Sequence, residues 1–557
     1  MAMKHRTVRN GILAVTAAAA TMVIAACSSS PSPNGSSSSA SNGAPAANGT
    51  GSSDRVPNGF AGQTLTVQTT EPTSLNPALG PLSETGVVYI YFAYGALIYQ
   101  KQDGTYIGDL AAKWNYVAGS GNKEFDITLR PNLKFTDGSA LTPQAVVNSL
   151  EYFKNAHGPQ ASLLAAMTSA KVTGALTLRL TFSAPTPDLP YLFSQSQDLG
   201  AIIGPKGLAN PSSLTSQSDG AGPYQISPSG IVPNNSYTFT ANPGYWNPAA
   251  VHYHQIVVKN IDDPNTILSS LQSGQIDAAL QDLSPAAAPA AKAAGMTVVS
   301  SPYSIAGLIL ADRAGTDSPL GNLEVREALN DAVDRQSYIP IIAGSSGMAT
   351  DQVSLTGAPG YSPSAASEYS YNITTAKRLL AEAGYPHGFT LPVLDVETND
   401  PNSTIAQGLS ASLAAIGVQV KVTVEPTFAQ YIPAAMSKKY PALVVPIPFD
   451  GAGFYDAMTN ALGINPVWNP FGSTDPTVTA LLGQAAAATS TSQQESLFEQ
   501  ISDRLTQLAW FVPISSQNLN FLVSPRIAGV QPVSLAATGI MNPVGPEPDL
   551  SWYPAGS

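Results

Sequence analysis

Residues 125–150 read FDITLRPNLKFTDGSALTPQAVVNSL, and this stretch carries three local structural signals in succession. Apolar and polar side chains alternate through residues 124–130, which predicts a half-buried strand. Residues 134–138 (KFTDG) end in Asp-Gly and predict a tight turn. Thr142 followed by Pro143 places an N-cap hydroxyl before a proline at the first helical position, which predicts a helix over residues 142–154.

The rest of the chain alternates between the same two kinds of element. The period-two pattern predicts strands, and longer patterns that end at glycines such as Gly274 and Gly384 predict helices. The predicted strands are residues 63–70, 176–182, 237–242, 255–259 and 418–424, and the predicted helices are residues 87–97, 266–273, 325–339, 374–383 and 403–416. Interleaved strands and helices without a fixed-period repeat predict an α/β fold.

The composition limits the classes of partner. The chain has 557 residues with 25 basic and 37 acidic side chains, a net charge of −12. From about residue 60 onward roughly 500 residues remain, enough for two or three lobes with their own cores. An acidic chain disfavours nucleic acid as a partner, and it disfavours electrostatic adhesion to anionic lipid.

The amino terminus has the features of a secretory signal. Lys4, Arg6 and Arg9 precede an apolar run at residues 11–26, which is shorter than a comfortable membrane span. Ala25 and Ala26, directly before Cys27, resemble a bacterial lipobox, which implies lipidation of that cysteine after cleavage of residues 1–26. Cys27 is the only cysteine, so no disulfide within the chain is possible.

Residues 28–54 consist almost wholly of Ser, Pro, Gly, Ala and Asn. Such a composition buries too little apolar area to offset the entropy of ordering, so residues 27–59 are predicted to be a flexible, lipidated tether. The protein is therefore expected at the cell membrane, lipid-anchored on the extracytoplasmic face.

Few residues indicate catalysis or a cofactor. The chain has five histidines, and His252 and His254 would share one face of a strand if that segment were extended. A surface or packing role for this pair is favoured over a metal site, because no acidic residues stand beside it. The sequence contains no nucleophile elbow, phosphate-binding loop or zinc-protease motif, so neither an enzymatic activity nor a cofactor is predicted.

Seven blocks along the chain resemble one protein family, the extracytoplasmic solute-binding proteins of peptide and nickel type that serve ABC transporters. They follow the family's order over roughly 450 residues. The blocks are LNP (75–77), the stretch 109–150 that begins DLAAKWNY, GAGPY (220–224), NPGYW (242–246), LQSGQIDA (271–278), VREALNDAVDR (325–335) and AKRLLAEAG (376–384). Most of these blocks are expected to mark the fold and not the ligand site.

The resemblance implies an α/β, two-lobed fold like that of periplasmic binding proteins, type II, cluster C, with an inserted subdomain in lobe one. It implies crossovers between the lobes near residues 304–311 and 510–516. The implied boundaries are 60–93, 196–308 and 511–557 for lobe one, 94–195 for the inserted subdomain and 309–510 for lobe two.

The resemblance also implies a ligand site. Peptide-binding members meet the ligand's terminal ammonium with a lobe-two carboxylate, and Asp450 matches that position, although Ile447 stands where the family has a tryptophan. Asp456 is the rival carboxylate, and the alternative interpretation of Asp450 is that it only caps a turn before Gly451. The other candidate ligand-binding residues are Phe449, Gly451, Phe454, Tyr455 and Trp468 in lobe two and Gly80, Leu82 and Ser83 in lobe one.

The leading functional hypothesis is a monomeric receptor that captures an oligopeptide or similar extended solute and delivers it to a membrane permease with its ATPase. An envelope scaffold or regulator on the same fold is the alternative, and a hydrolase is a third, less favoured one. Relatives bind nickel complexes, haem and sugars, so the resemblance leaves the ligand class open.

Overall fold

The computed structural model describes most of the chain after residue 62. The described residues are 63–72, 74–80, 86–281, 287–316, 318–342, 347–397, 400, 403–444, 447–448, 453–463, 467–535 and 541–556. The predicted signal peptide, Cys27 and the predicted tether lie outside them.

The described residues form twenty strands. They are β1 (Thr64–Gln68), β2 (Ile98–Gln100), β3 (Tyr106–Gly108), β4 (Ala111–Tyr116), β5 (Glu124–Leu129), β6 (Met167–Val172), β7 (Thr177–Phe182), β8 (Tyr224–Gln225), β9 (Ile231–Val232), β10 (Ser236–Ala241), β11 (Gln255–Lys259), β12 (Ala278–Ala279), β13 (Thr297–Leu310), β14 (Thr390–Val396), β15 (Gln419–Glu425), β16 (Ala442–Val444), β17 (Ile447–Pro448), β18 (Phe511–Val523), β19 (Ile527–Ala528) and β20 (Tyr553–Pro554).

Fourteen α-helices alternate with these strands in the described part of the chain. They are α1 (Val87–Tyr94), α2 (Pro143–Asn155), α3 (Leu189–Leu192), α4 (Pro205–Ala209), α5 (Pro264–Ser273), α6 (Ala287–Ala293), α7 (Leu323–Asp331), α8 (Arg335–Ile342), α9 (Ile373–Glu382), α10 (Thr404–Ala414), α11 (Phe428–Met436), α12 (Phe454–Leu462), α13 (Pro476–Ala487) and α14 (Thr491–Gln507). None of these helices is long and apolar enough to span a membrane. The alternation confirms the predicted α/β class.

One large sheet runs through the molecule. Its order is β15-β14-β16-β13-β18-β12-β1-β11-β10-β8, with β17 added beside β13 and β9 beside β10. On one side β1 is parallel to β11 and β12, and on the other β14 is parallel to β15 and β16. We call the half that contains β1 lobe one and the half that contains β14 lobe two.

Two long antiparallel strands join the halves. β13 and β18 pair from Thr297 opposite Val523 to Ile309 opposite Phe511. The register shifts twice along the pair, first at Pro302, which has no N–H to contribute to a ladder. The predicted crossovers near residues 304–311 and 510–516 overlap these two strands, which end at Leu310 and begin at Phe511.

A second sheet, of order β4-β5-β7-β6, belongs to the segment that was predicted as an insert. Its strands alternate buried and half-exposed residues, as in β5 and β7. Phe125 and Ile127 of β5 are fully buried in the large core that also contains α1. The period-two pattern read from residues 124–130 is therefore confirmed.

The predicted helix ends are confirmed where a side chain or glycine defines them. Thr142 accepts a hydrogen bond from the backbone N–H of Ala145 at 3.3 Å, and Pro143 is the first residue of α2. Gly274 ends α5 with φ of 75°, a left-handed conformation that costs glycine little. Local chemistry alone placed these ends.

The predicted single helix over residues 325–339 is wrong. The chain forms two helices, α7 and α8, with a break after Asp331. The carbonyl oxygen of Asn330 accepts from the N–H of Val333 and from the guanidinium of Arg335, both at 3.3 Å. Because Arg335 also donates to the carbonyl of Pro513 in β18, contacts with the sheet interrupt the helix.

Candidate functional site

The two joining strands carry an unusual number of buried polar side chains. The hydroxyl of Ser304 donates to Oε1 of Gln517 at 2.7 Å, and Nδ2 of Asn520 donates to the carbonyl of Asn518 at 3.1 Å. Ser301 is fully buried, and its hydroxyl has no partner among the described residues. Because buried hydroxyls nearly always have a partner, Ser301 indicates a position where a polar group is to be supplied.

Lobe one brings polar side chains to the carboxyl ends of its parallel strands. At the end of β1, Nε2 of Gln68 donates to the carbonyl of Ile261 at 2.6 Å and to Oε1 of Gln281 at 2.8 Å. Oε1 of Gln68 and the hydroxyl of Thr69 are buried without a partner among the described residues. Ligands of open α/β sheets bind at this end of the strands, so these atoms mark one wall of a candidate site.

Lobe two presents a carboxylate at the equivalent end of its own parallel strands. Asp395 lies at the end of β14, fully buried, and accepts a hydrogen bond from the N–H of Val396 at 2.7 Å. Burial, with a smaller effect of the nearby Asp400 carboxylate, raises the pKa of Asp395 to about 6. Tyr431 of α11 is also buried, and its hydroxyl has no partner among the described residues.

The predicted anchor segment leaves the sheet next to these groups. β17 pairs with β13 so that Pro448 stands opposite Ser304 and Ile447 opposite Ile305. Phe449, Asp450 and Gly451 follow directly but lie outside the described residues. Asp456 is in α12, and its side chain is likewise outside what the structure describes.

The aromatic candidates of lobe two occupy three different surroundings. Phe454 is only 1% exposed and packs against Phe498, with ring centroids 4.8 Å apart, in the lobe-two core. Tyr455, the next residue, lines an open cavity. Trp468 is half-buried, and its ring is tilted by 38° against that of Tyr431, with the ring centroids 6.2 Å apart. The structure therefore places Trp468 against the ring of Tyr431 and places Phe454 in the core.

The lobe-one candidates follow the LNP element. The N–H of Gly80 donates to the carbonyl of Asn76 at 2.8 Å, which closes a turn. Nδ2 of Asn76 donates to the hydroxyl of Tyr152 in α2 at 2.8 Å, so this element is held against that helix. Leu82 and Ser83 lie outside the described residues.

Two further family-like blocks meet in a buried network that serves the fold. Asp109 is fully buried and accepts from the indole Nε1 of Trp246 at 2.9 Å and from the N–H of Ala96 at 2.9 Å. The guanidinium of Arg130 lies 3.7 Å from the centroid of the Trp246 ring and donates to the carbonyl of Asp109 at 2.6 Å. Burial raises the pKa of Asp109, and the hydrogen bonds from Ala96 and Trp246 oppose the rise.

The GAGPY block (residues 220–224) also packs closely, against the backbone at the end of α1. A Cβ placed on Gly222 would lie 2.6 Å from the carbonyl carbon of Ala93. No side chain fits there, so glycine is needed for backbone to approach backbone at the end of α1. The expectation that these blocks mark the fold agrees with their contacts.

The histidine pair is not on a strand, contrary to the geometry considered from the sequence. Both residues precede β11; His252 is 7% exposed, with Nδ1 3.1 Å from the carbonyl oxygen of Trp552, whereas His254 is exposed. Among the described residues no group of three or more His, Cys, Asp or Glu is arranged to hold a metal ion.

Sequence reasoning missed Gln68, Thr69, Ser301, Asp395 and Tyr431. Gln68, Thr69 and Asp395 could have been recognised from the sequence, because each lies at the end of a predicted strand or of an apolar run. Ser301 and Tyr431 lacked such a signal, because their burial depends on contacts between distant segments.

One protein-family model matches well over half of the chain. The model described as bacterial extracellular solute-binding proteins, family 5 Middle, matches residues 105–465. Among curated proteins, the glutathione-binding protein GsiB of Salmonella paratyphi A is 27% identical over 317 residues, 55% of this chain. The aligned part is 59% of that relative's length, so the chain matches somewhat more than half of it.

Solved structures with the same architecture align over a larger part of this chain than the curated relative does. AgaA of A. tumefaciens R10, in complex with agropinic acid, aligns with a TM-score of 0.70 and 23% identity over 86% of this chain and 97% of its own. DppA of Helicobacter pylori, in complex with the peptide STSA, aligns with a TM-score of 0.69 and 18% identity over 88% and 98%. These likenesses confirm the predicted two-lobed fold of periplasmic binding proteins.

Proposed function

This chain belongs to the bacterial extracellular solute-binding proteins of family 5, and we propose that it captures a peptide or similarly extended solute between its two lobes and delivers it to an ABC transporter permease. Closure of two lobes on a ligand stabilises the closed form in proportion to the contacts that only the closed form makes.

One observation carries this proposal. Buried polar atoms that have no partner among the described residues, on Gln68, Thr69 and Ser301, lie at or beside the joining strands and at the carboxyl ends of lobe one's parallel strands. An extended ligand brings backbone N–H and C=O groups that satisfy such atoms without reference to its side chains. A peptide backbone therefore matches the chemistry of these walls.

The proposed anchor for the ligand's ammonium is Asp450. Its segment follows Pro448, which pairs with Ser304 of the joining strand, so the chain enters residues 449–452 from the interlobe connection. A carboxylate that meets an ammonium away from water forms a charge-assisted hydrogen bond and discriminates against ligands without the charge. Gly451, Phe449, Tyr455 and Trp468 in lobe two and Gly80, Leu82 and Ser83 in lobe one remain proposed contacts.

We further propose that Cys27 carries a lipid that keeps the receptor at the outer face of the cytoplasmic membrane. The motif before the cysteine and the Ser- and Gly-rich tether after it support this. Mass spectrometry of the amino-terminal peptide from the native host tests it, because a diacylglyceryl modification on Cys27 is expected and an unmodified thiol contradicts it.

The ligand test starts from small peptides. Relatives are named for glutathione and one structural neighbour holds the peptide STSA, so both are suitable first ligands. Binding to the folded state alone raises the unfolding temperature, with a free energy of RT ln(1 + [L]/Kd). Peptides with free amino termini are expected to raise the unfolding temperature. Their N-acetylated forms are expected to leave the unfolding temperature unchanged.

The anchor is tested by a matched pair of variants. Asp450→Ala is expected to abolish the thermal shift by free-amine peptides, whereas Asp456→Ala is expected to leave it in place. The reverse result transfers the anchor to Asp456, and retention of affinity in both variants rejects the amine-anchor model. Native mass spectrometry of protein purified without denaturation identifies any ligand that co-purifies.

A further inference from the structure

A cavity of about 770 Å³ lies apart from the joining strands. One wall comes from Tyr106 of β3, from Tyr116 at the end of β4, from five of the residues 117–122 and from four of the residues 187–191. The opposite wall comes from lobe two, through Tyr455 and residues 488–498 around the start of α14. The cavity volume is within the range of small-molecule sites.

The lining has a pronounced chemical character. Five of the lining residues are aromatic, namely Tyr106, Tyr116, Tyr191, Tyr455 and Phe498, the last of which also packs in the lobe-two core. The charged side chains among the described lining residues are two carboxylates, Asp188 and Glu495, and this lining contains no Lys, Arg or His. An aromatic lining with negative charge and no positive charge favours a cation and disfavours an anion.

The two carboxylates come from opposite walls. Asp188 precedes α3 and lies close enough to Tyr116 that its charge, after burial, contributes to the raised pKa of that phenol. Glu495 lies in the second turn of α14 and is solvent-exposed on the lobe-two side. A cation between the walls is therefore attracted to both halves of the molecule.

The walls are already held together by a direct contact. Nδ2 of Asn122 donates to the carbonyls of Ala486 and Ala488 at 2.9 and 2.7 Å, and Asn122 and Ala488 both line the cavity. This contact therefore joins the two walls at the cavity itself.

We propose that this cavity is a second ligand site, which binds an organic cation whose apolar body packs on the tyrosine rings while Asp188 and Glu495 balance its charge. The two proposed sites share Tyr455, but the described lining of this cavity includes neither Trp468 nor Gly80, so the cation is held here by other groups than the ammonium anchor proposed at Asp450. A quaternary ammonium fits the cavity better than a primary amine, because aromatic faces hold a weakly hydrated cation without the hydrogen bonds that a primary amine requires.

The probe is benzyltrimethylammonium, with benzyl alcohol and phenylacetate as its neutral and anionic counterparts. Isothermal titration calorimetry of the full chain at low salt is expected to show saturable one-site binding of the cation, at least tenfold tighter than either counterpart. Binding is expected to weaken as ionic strength rises. Equal affinity for all three probes overturns the proposal.

Two variants on α14 locate the site. Glu495→Gln is expected to weaken benzyltrimethylammonium binding about two- to fivefold, the range for one solvent-exposed charge. Glu499→Gln, one turn along the same helix and absent from the lining, is expected to leave the affinity unchanged. Equal loss in both variants indicates general surface attraction and overturns the proposal.

Asp450→Ala separates this proposal from the peptide-binding function. It is expected to leave benzyltrimethylammonium affinity unchanged while it abolishes binding of free-amine peptides. If it removes cation binding as well, the cation occupies the interlobe cleft, and the second site is rejected while the peptide receptor stands. If peptides fail to bind but the cation binds with the Glu495 dependence, the second site stands alone.

Discussion

The side-chain nitrogen of Asn122 donates to the carbonyl oxygen of Ala488 at 2.7 Å, across the boundary between the four-stranded sheet and lobe two. The same nitrogen donates to the carbonyl of Ala486, so one amide group satisfies two carbonyls at the end of α13. Carbonyls of the last helical turn have no partner within the helix. Asn122 therefore caps a helix of another lobe, and it does so while 5% exposed.

Asn122→Gly is expected to lower the free energy of unfolding by about 1–3 kcal/mol, because two buried carbonyls lose their donor. Glycine is the right replacement, since Asn122 has φ of 58° and any other residue would add backbone strain. Asn132→Gly is the control, because Asn132 has φ of 60° but is exposed. Urea unfolding compares them, and equal effects of the two variants contradict the capping role.

Trp246→Phe tests whether the NPGYW block stabilises the fold through Asp109. The variant removes the indole N–H that donates to the buried carboxylate, so we expect a loss of about 2 kcal/mol in unfolding free energy. With one donor fewer, the pKa of Asp109 should rise further. Trp114→Phe is the control, since Trp114 is half-buried in the same core. Thermal unfolding compares the two variants. If Trp246→Phe loses no more stability than Trp114→Phe, the proposed role of Trp246 is contradicted.

The elements that sequence reasoning predicted well are those defined by local chemistry. The cap at Thr142, the glycine after α5 and the alternation in β5 each depend on neighbours within a few residues. The break between α7 and α8 was missed because it depends on Arg335 reaching the carbonyl of Pro513, far away in the sequence. Distant contacts of this kind leave no periodic signal.

The candidate site was predictable to a smaller extent. Resemblance to a family pointed to Tyr455 and Trp468, and the structure describes both, one in a cavity and one on Tyr431. Nothing local distinguishes Ser301 or Asn122 from other polar residues, because their roles arise only when separate segments meet. Phe454 and Tyr455, adjacent in sequence, show that a helix turns one neighbour into the core and the next toward a cavity.

Asp395 makes a prediction about pH. The folded pKa of about 6 exceeds the unfolded value near 3.9, so the folded state holds a proton that the unfolded state releases between these values. The stability that this group provides is present below about pH 4 and is lost as the pH rises to 6. As the pH rises from about 4 to 6, we expect the free energy of unfolding of Asp395→Asn to increase relative to that of the parent protein, by up to about 3 kcal/mol.

Urea unfolding at pH 4.5, 5.5, 6.5 and 7.5 measures this difference. Asp262→Asn is the control for the removal of one carboxyl group, because Asp262 is exposed. A difference for Asp395→Asn that stays constant from pH 4.5 to 7.5 shows that the carboxyl is ionised throughout and contradicts the assignment.

Arg313 is a buried cation without a carboxylate partner among the described residues. Its guanidinium lies 4.4 Å from the centroid of the Trp510 ring, and its Nη2 donates to Oδ1 of Asn469 at 2.8 Å. Nε and Nη1 have no partner among the described residues. Burial, reinforced by the nearby Arg326 cation, lowers the pKa of Arg313 to about 9.

Arg313→Met is expected to raise the free energy of unfolding by about 1–3 kcal/mol, because a desolvated charge is replaced by an apolar chain that still packs on Trp510. Arg313→Ala should lower it, since that variant leaves a cavity against the ring. Arg378→Met, at an exposed pair with Glu382, should change it by less than about 0.5 kcal/mol. Guanidinium chloride unfolding at pH 7.5 compares the three variants. If Arg313→Met lowers the free energy of unfolding by more than about 1 kcal/mol, the guanidinium is balanced by an anionic group. The interpretation of Arg313 as a cation without a carboxylate partner is then wrong.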